Sequence, residues 1–270
     1  MTMRLIDRLG TIGRAEEARI PSPFVHSEGN RTVRIGIFTD IHANFPALEA
    51  VLGAFAAEQC DIVVHTGDAV GYGPHPGEVV ERLLGLENAI LLMGNHDEYA
   101  VQGPAHAHMA GMDPVERAHQ AWVRSHLTER QIAAMAEWPY LYQVQTSGVH
   151  LVACHYARLT DGSDFAPILR NAPPAAFDAL FAPPEPAIVF YGHDHPAADI
   201  QGRSRFIDPG SAGVGNFPVA RYAVVDLRDD SAPGVRFGSV RYDGDRVLRD
   251  LEARQMPGRS YVIATLRDNA

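Results

Sequence analysis

The chain has 270 residues, 46% of them hydrophobic, which is enough for one large domain or two small ones with a substantial core. Its formal net charge is −10 and all 23 basic residues are arginine, an acidic balance that argues against extended, sequence-independent nucleic-acid binding. No apolar run approaches the roughly 20 residues of a membrane-spanning helix, and two cysteines, Cys60 and Cys154, are too few for a disulfide scaffold.

Residues 1–31 read as an extension to a single domain over 32–270. They lack an apolar stretch with a small-residue cleavage site, so a soluble, cytoplasmic chain is expected. Leu5, Ile6, Leu9 and Ile12 are spaced for a short amphipathic helix packing on the domain. The β-rich run 33–39 stops at Asp40, and a helix follows from Pro46 to about 58, proline suiting its first turn. A second strand over 61–65 ends at Gly67-Asp68. The loop Gly71-Tyr72-Gly73-Pro74 leads to a helix over 78–84, and a third strand over 89–93 ends at Gly94-Asn95-His96.

Capping patterns at Asp113-Pro114-Val115-Glu116 and Thr128-Glu129-Arg130-Gln131 predict two helices in the middle of the chain. A short helical piece lies between Pro173-Pro174 and Pro183-Pro184. Strands are expected at about 140–145, 149–154, 187–191, 204–207, 220–226 and 235–242, then a last helix over roughly 245–254 that buries Val247, Leu248 and Leu251.

Polar residues follow the strands at five places, and the carboxyl ends of strands are where open α/β sheets bind ligands. Asp40-Ile41-His42 offers a carboxylate and an imidazole two residues apart, as if sharing one face of an extended segment. Asp68 is suited to lie between two cations, since each of its oxygens can serve one metal. Asn95 offers a neutral oxygen, and His96, pointing away from it, is suited to protonate a leaving group near neutral pH. His155 ends an apolar run and is chosen over Cys154, because a thiol would break an oxygen-and-nitrogen donor set. In Gly192-His193-Asp194-His195 the spacing lets one imidazole serve each of two metals. Together these pieces describe a centre for two divalent cations, which would also reverse the acidic local field for an anionic substrate. Asn44, Tyr72 and His75 are candidate substrate contacts. His106 and His108 read as surface residues and His65 as a core strand residue.

In this order the motifs resemble the calcineurin-like metallophosphoesterase superfamily, whose pattern is D-x-H, G-D, G-N-H-(D/E), H and G-H-x-H. Thr39-Asp40-Ile41-His42-Ala43-Asn44, the Gly71-Tyr72-Gly73-Pro74 loop and Asp208-Pro209-Gly210-Ser211 resemble its small bacterial and archaeal phosphodiesterase branch. The resemblance implies an α/β fold of the α+β type, a four-layer α-β-β-α sandwich of two mixed sheets flanked by helices. It implies that Asp40, His42 and His195 hold one metal, that Asn95, His155 and His193 hold the other, and that Asp68 bridges. Mn2+ is expected first, with Fe, Zn or Ni as alternatives. The implied reaction is hydrolysis of a small phosphorylated or nucleotide substrate by a metal-bridging hydroxide, with His96 as general acid. Asymmetric hydrolysis of diadenosine tetraphosphate and an inactive interaction scaffold are the alternatives, and a homo-oligomer is compatible with either. Protein Ser/Thr phosphatases carry a second aspartate and an arginine after G-D, where this chain has Gly71 and Tyr72, so that class is not expected and what orients His96 is left open. Ala43 in place of a common glycine narrows the approach to the metals, and Tyr156 makes the end of its strand bulkier.

Overall fold

A computed structural model describes residues 32–267 apart from 147, 229 and 230, so the extension expected over 1–31 lies outside the described residues. The first strand, β1 (Val33–Phe38), shows the logic of the whole. Its alternate residues Ile35 and Ile37 face a second sheet, while Phe38 faces a helical layer. α1 (Phe45–Ala57) crosses over to β2 (Ile62–His65), and α2 (Pro76–Leu84) crosses over to β3 (Ala89–Leu91). The three strands are parallel, as crossover connections require.

α3 (Asn95–Gln102), two short 3-10 turns, α4 (Pro114–Ser125) and α5 (Glu129–Ala136) then pack outside this sheet. The second sheet is built from β4 (Leu141–Thr146), β5 (Val149–Cys154), β6 (Ile188–Phe190), β7 (Ala198–Gln201) and β8 (Arg205–Asp208), with α6 (Pro174–Phe181) inserted between β5 and β6. The chain returns to the first sheet as β9 (Val219–Arg228) and β10 (Ser231–Arg241), and closes with α7 (Gly244–Ala253) and α8 (Arg259–Arg267). Strand orders are β10-β9-β1-β2-β3 and β4-β5-β6-β8-β7, each sheet mixing parallel and antiparallel pairs.

Between the sheets, Ile35, Ile37, Val64, Ile90 and Val225 meet Leu151, Ile188, Phe190 and Ile207. Outside the first sheet, α1, α2, α7 and α8 bury Leu48, Val79, Val247 and Val262 among others, and outside the second α6 buries Phe177, Leu180 and Phe181. This is the expected four-layer sandwich. Several elements were not expected, α3 and the 3-10 turns after it among them. β7 is an edge strand with Ile200 as its one large apolar residue, and α8 follows the left-handed Gly258 without a long apolar run to announce it. Among the described residues no helix is long and apolar enough to cross a membrane.

The parallel strands of both sheets end on one side. A bridge between Thr39 and Ser211 ties the sheets together there, beneath the loops that carry the polar motifs.

Candidate metal centre

The loops at this edge are locked to one another by backbone hydrogen bonds. The N–H groups of Asp40 and His42 donate to the carbonyls of Gly67 and Asp68 at 3.0 and 2.9 Å, and Ser211 N–H donates to His195 O at 2.8 Å. Gly192 N–H donates to His155 O at 2.9 Å. Asp40, His42, Asp68, His193 and His195 all have positive φ, between 46° and 78°. The turn therefore begins as soon as the strand ends, and Asp40 and His42 meet through left-handed backbone rather than through the strand alternation that the sequence suggested. Such conformations cost on the order of 1–3 kcal/mol each and persist only where the surroundings over-determine them.

The donors converge. Asp40 Oδ1 lies 3.8 Å from both His42 Nε2 and His195 Nε2, and 4.0 Å from His155 Nε2. Asp68 Oδ2 lies 3.7 Å from His42 Nε2 and 3.4 Å from His155 Nε2. Asn95 Oδ1 and His193 Nδ1 approach His155 Nε2 at 3.1 and 3.2 Å, and His42 Nε2 lies 3.1 Å from His195 Nε2. Two donor groups result, Asp40–His42–His195 and Asp68–His155–His193, with Asn95 beside the second.

Asp68 departs from expectation in one respect. Its Oδ1 accepts the His96 N–H at 2.9 Å, so Oδ2 alone faces the two groups instead of one oxygen serving each. Gly94 makes this possible, because a Cβ there would stand 2.2 Å from Asp68 Oδ1.

The residues fit a divalent cation. Asp40 Oδ1 is buried without a hydrogen-bond partner, while three imidazole nitrogens face it. His42 Nδ1–H donates to Val70 O at 3.2 Å, which leaves its Nε2 lone pair for the centre. Burial opposes charge on His155, but the Asp68 charge and hydrogen bond, with Asp40 and Asp97, override it and lift the ring to about 9. Burial likewise opposes charge on Asp68, yet His155 and its neighbouring imidazoles hold that carboxyl well below its ordinary range. The carboxylates thus draw positive charge into a place lined by oxygen and imidazole nitrogen, a set suited to Mn2+, Fe, Zn or Ni. Cys154 lies in the cluster outside the second sheet, away from the donors.

His96 joins His42 and Asp68 in a third close group, so proximity alone does not separate it from the ligands. Burial lowers its pKa to about 4, below the near-neutral value from which its acid role was expected, and its Nδ1 meets the side-chain amide of Gln120 at 3.2 Å. Tyr72 packs its ring 4.7 Å from His42 and 4.9 Å from His96, and 6.1 Å from the ring of Tyr261 of α8. Tyr99, one helical turn after Asn95 on α3, packs its ring 5.4 Å from that of His96.

Asn44 and His75 are not brought into the site. Asn44 caps α1 by accepting from Ala47 N–H and donates to Gly213 O, so both ends of its amide are occupied. His75 is buried at the start of α2 and pairs with Asp250 of α7 at 2.8 Å. His106, read as a surface residue, is buried beside Glu98 and Tyr99, whereas His108 is exposed and His65 is in the core. Sequence reasoning missed Tyr99, Gln120 and Tyr261. The Asn95/Tyr99 spacing of four on one helix was a usable signal; nothing local pointed to the other two.

The family profile described as calcineurin-like phosphoesterase matches residues 33–209. Among solved structures, a metallophosphoesterase from Sphaerobacter thermophilus superposes with a TM-score of 0.66 at 25% identity, covering 89% of this chain and 100% of that one. A hypothetical protein from Pyrococcus horikoshii shares the fold with a TM-score of 0.75 at 20% identity, over 88% and 99% of the two chains. An uncharacterised protein of Methanocaldococcus jannaschii is 42% identical over 69 residues, a match that spans 26% of this chain and 28% of that protein.

Proposed function

As this chain belongs to the calcineurin-like phosphoesterase family, we propose that it is a hydrolase of phosphoric esters that uses two divalent cations on a small phosphorylated or nucleotide substrate. One observation carries the reading. Seven oxygen and nitrogen donors from five loops form two groups that meet at Asp68 Oδ2, with His96 beside them. Asp40, His42 and His195 would hold one cation, Asn95, His155 and His193 the other, and Asp68 both. Cations bound there supply Lewis-acid stabilisation at the phosphoryl oxygens and activation of water.

The protein's own part is positional and protonic. His96, beside Asp68 and His42, delivers a proton to the leaving oxygen as the ester bond breaks. Tyr72 and Tyr99 wall the ring and limit the water around it. A non-catalytic scaffold has no use for the complete donor set together with His96, so the enzymatic reading is preferred.

The test is turnover with added Mn2+ on bis-p-nitrophenyl phosphate, p-nitrophenyl phosphate, 2′,3′-cyclic nucleotides and diadenosine tetraphosphate, with product analysis to separate the nucleotide activities. His96→Ala is expected to lower kcat by roughly 10²–10⁴ with metal content unchanged. A fully metallated wild-type protein that hydrolyses none of these esters, or a His96→Ala variant that loses its metals, would overturn the reading.

A further inference from the structure

We infer that Gln120 is the positioning residue of His96, holding the ring so that Nε2 faces the leaving oxygen. The inference rests on the reading of His96 as the proton donor.

α4 is fixed at its start by Asp113, which accepts from Val115 N–H at 2.8 Å, and it buries His119, Gln120 and Val123 along one face. A glutamine only 3% exposed on such a face is costly unless its amide is used. The contact that uses it is to His96 Nδ1, at 3.2 Å. The other end of the amide, Oε1, is buried and has no partner. His119, the preceding residue, pins the helix at this height, with Nε2 3.0 Å from Gly71 O and Nδ1 3.2 Å from Pro257 O. The backbone of Gln120 is thereby tied to the loop that carries Asp68.

Gly71, the residue of that loop nearest Nδ1, cannot hold the ring itself. Gly71 has φ +143°, and a Cβ there would stand 2.4 Å from His42 Nδ1 and 3.3 Å from His96 Nδ1. Gly71 runs against the imidazole with no side chain to offer, Tyr72 after it meets the ring only by a ring contact, and the partner for Nδ1 comes instead from a helix distant in sequence.

The chemistry requires an acceptor at this point. A histidine that gives its proton from Nε2 carries N–H at Nδ1 both before and after the transfer. A half-turn about the last torsion of Gln120 exchanges the amide nitrogen and oxygen within the same volume, so the unpartnered Oε1 accepts from Nδ1–H. In the step itself the bond from phosphorus to the leaving oxygen breaks. The leaving oxygen takes the electron pair and the Nε2 proton, and water supplies the new oxygen on phosphorus.

The experiment compares bis-p-nitrophenyl phosphate, whose phenolate leaves well, with diphenyl phosphate, whose phenolate needs the proton more. Steady-state kinetics in Mn2+, metal content and thermal stability are measured for the wild type, His96→Ala, Gln120→Leu and Gln120→Glu. Gln120→Leu, close in size but without polar atoms, is expected to lose kcat by roughly 10–100-fold on diphenyl phosphate, the scale of a misplaced catalytic group. On bis-p-nitrophenyl phosphate the loss should be only a few-fold, with KM and metal content unchanged. Gln120→Glu, which keeps an acceptor, should recover most of the loss. Equal losses on both esters, no loss, or a glutamate variant no better than leucine would each overturn the role of Gln120. If His96→Ala itself shows no difference between the esters, the proton-donor reading fails first, and the two failures are told apart.

Discussion

The donor cradle and the wall beside it are built in opposite ways. The cradle is made by backbone: loop to loop hydrogen bonds, left-handed residues at the strand ends, and a floor of Asp40, His42, Asp68 and His155 taken almost wholly out of solvent beneath the half-buried Asn95, His193 and His195. The wall is made by side chains on helices. Tyr99 on α3 and Tyr261 on α8 reach the site with Tyr72 through ring contacts, and Gln120 on α4 through one hydrogen bond. A donor atom moved by an ångström leaves its cation, so the cradle is over-determined. A wall residue can change without moving the cradle.

Breaking the cradle should therefore have the largest effect. Asp68→Ala removes the oxygen that both donor groups share and leaves His155 and His42 with only the more distant Asp40 carboxylate. Losing several kcal/mol of transition-state stabilisation corresponds to a fall in turnover of about 10³-fold or more. Metal analysis should show that at least one of two bound ions is lost. A variant that keeps both ions and its rate would mean that the shared oxygen is not what holds the centre together.

Next comes the carboxylate beneath the centre. Asp97 Oδ2 accepts from Asp68 N–H and Gly94 N–H at 2.9 and 3.0 Å, and Oδ1 accepts from Val70 N–H at 3.1 Å. Burial first, and then the Asp68 charge, push this carboxyl up to about 7, against the pull of those N–H groups. Asp97→Ala leaves three donors buried and unpaired, which at about 1–3 kcal/mol each predicts a loss of at least ~3 kcal/mol in urea unfolding. Metal affinity should weaken with it, since the Asp68 loop is no longer held. A loss below 1 kcal/mol would show that the cradle does not depend on this buried cap.

The same contrast explains what could be read from the sequence. The cradle residues follow their strands directly, so Asp40, His42, Asp68, Asn95, His155, His193 and His195 stood out as short motifs after apolar runs. The reason they meet was not visible, because left-handed turns at Asp40 and His193 have no simple pattern in sequence. Asn44 and His75 lie in motif-rich segments yet serve as a helix cap and a partner of Asp250. The wall was hidden for a physical reason. Gln120 and Tyr261 have ordinary neighbours, and they matter only because α4 and α8 pack against loops far away in the chain.

A pH test examines the layer behind the cradle. His65 is fully buried against Phe38, 4.6 Å between ring centroids, with neither nitrogen hydrogen-bonded, and burial lowers its pKa to about 3. Above pH ~6.5 the ring is neutral in folded and unfolded chains alike. As pH falls from there toward 3, the unfolded chain takes a proton that the folded chain refuses, so stability is lost in that window. By pH 5 the loss from this one group is on the order of 2 kcal/mol. His65→Leu should therefore flatten the decline in metal-free unfolding between pH 8 and pH 5. Equal differences between variant and wild type at both pH values would show that His65 charges inside the fold.

The smallest effect is expected at the outer end of the wall, and there it separates recognition from chemistry. Tyr261 is 51% exposed, and its ring packs 6.1 Å from that of Tyr72, which lies against both His42 and His96. An exposed ring held in this way suits a flat aromatic part of the substrate, and such a contact is worth about 0.5–1.5 kcal/mol. Tyr261→Ala should raise KM for aryl or nucleotide esters by roughly 2–10-fold with kcat and metal content unchanged. Stability should stay within about 0.5 kcal/mol, as for other exposed side chains. If kcat falls instead while KM holds, then Tyr261 acts through Tyr72 on His96. The wall would then belong to the chemistry as much as the cradle does, and the division between the two would have to be redrawn at Tyr72.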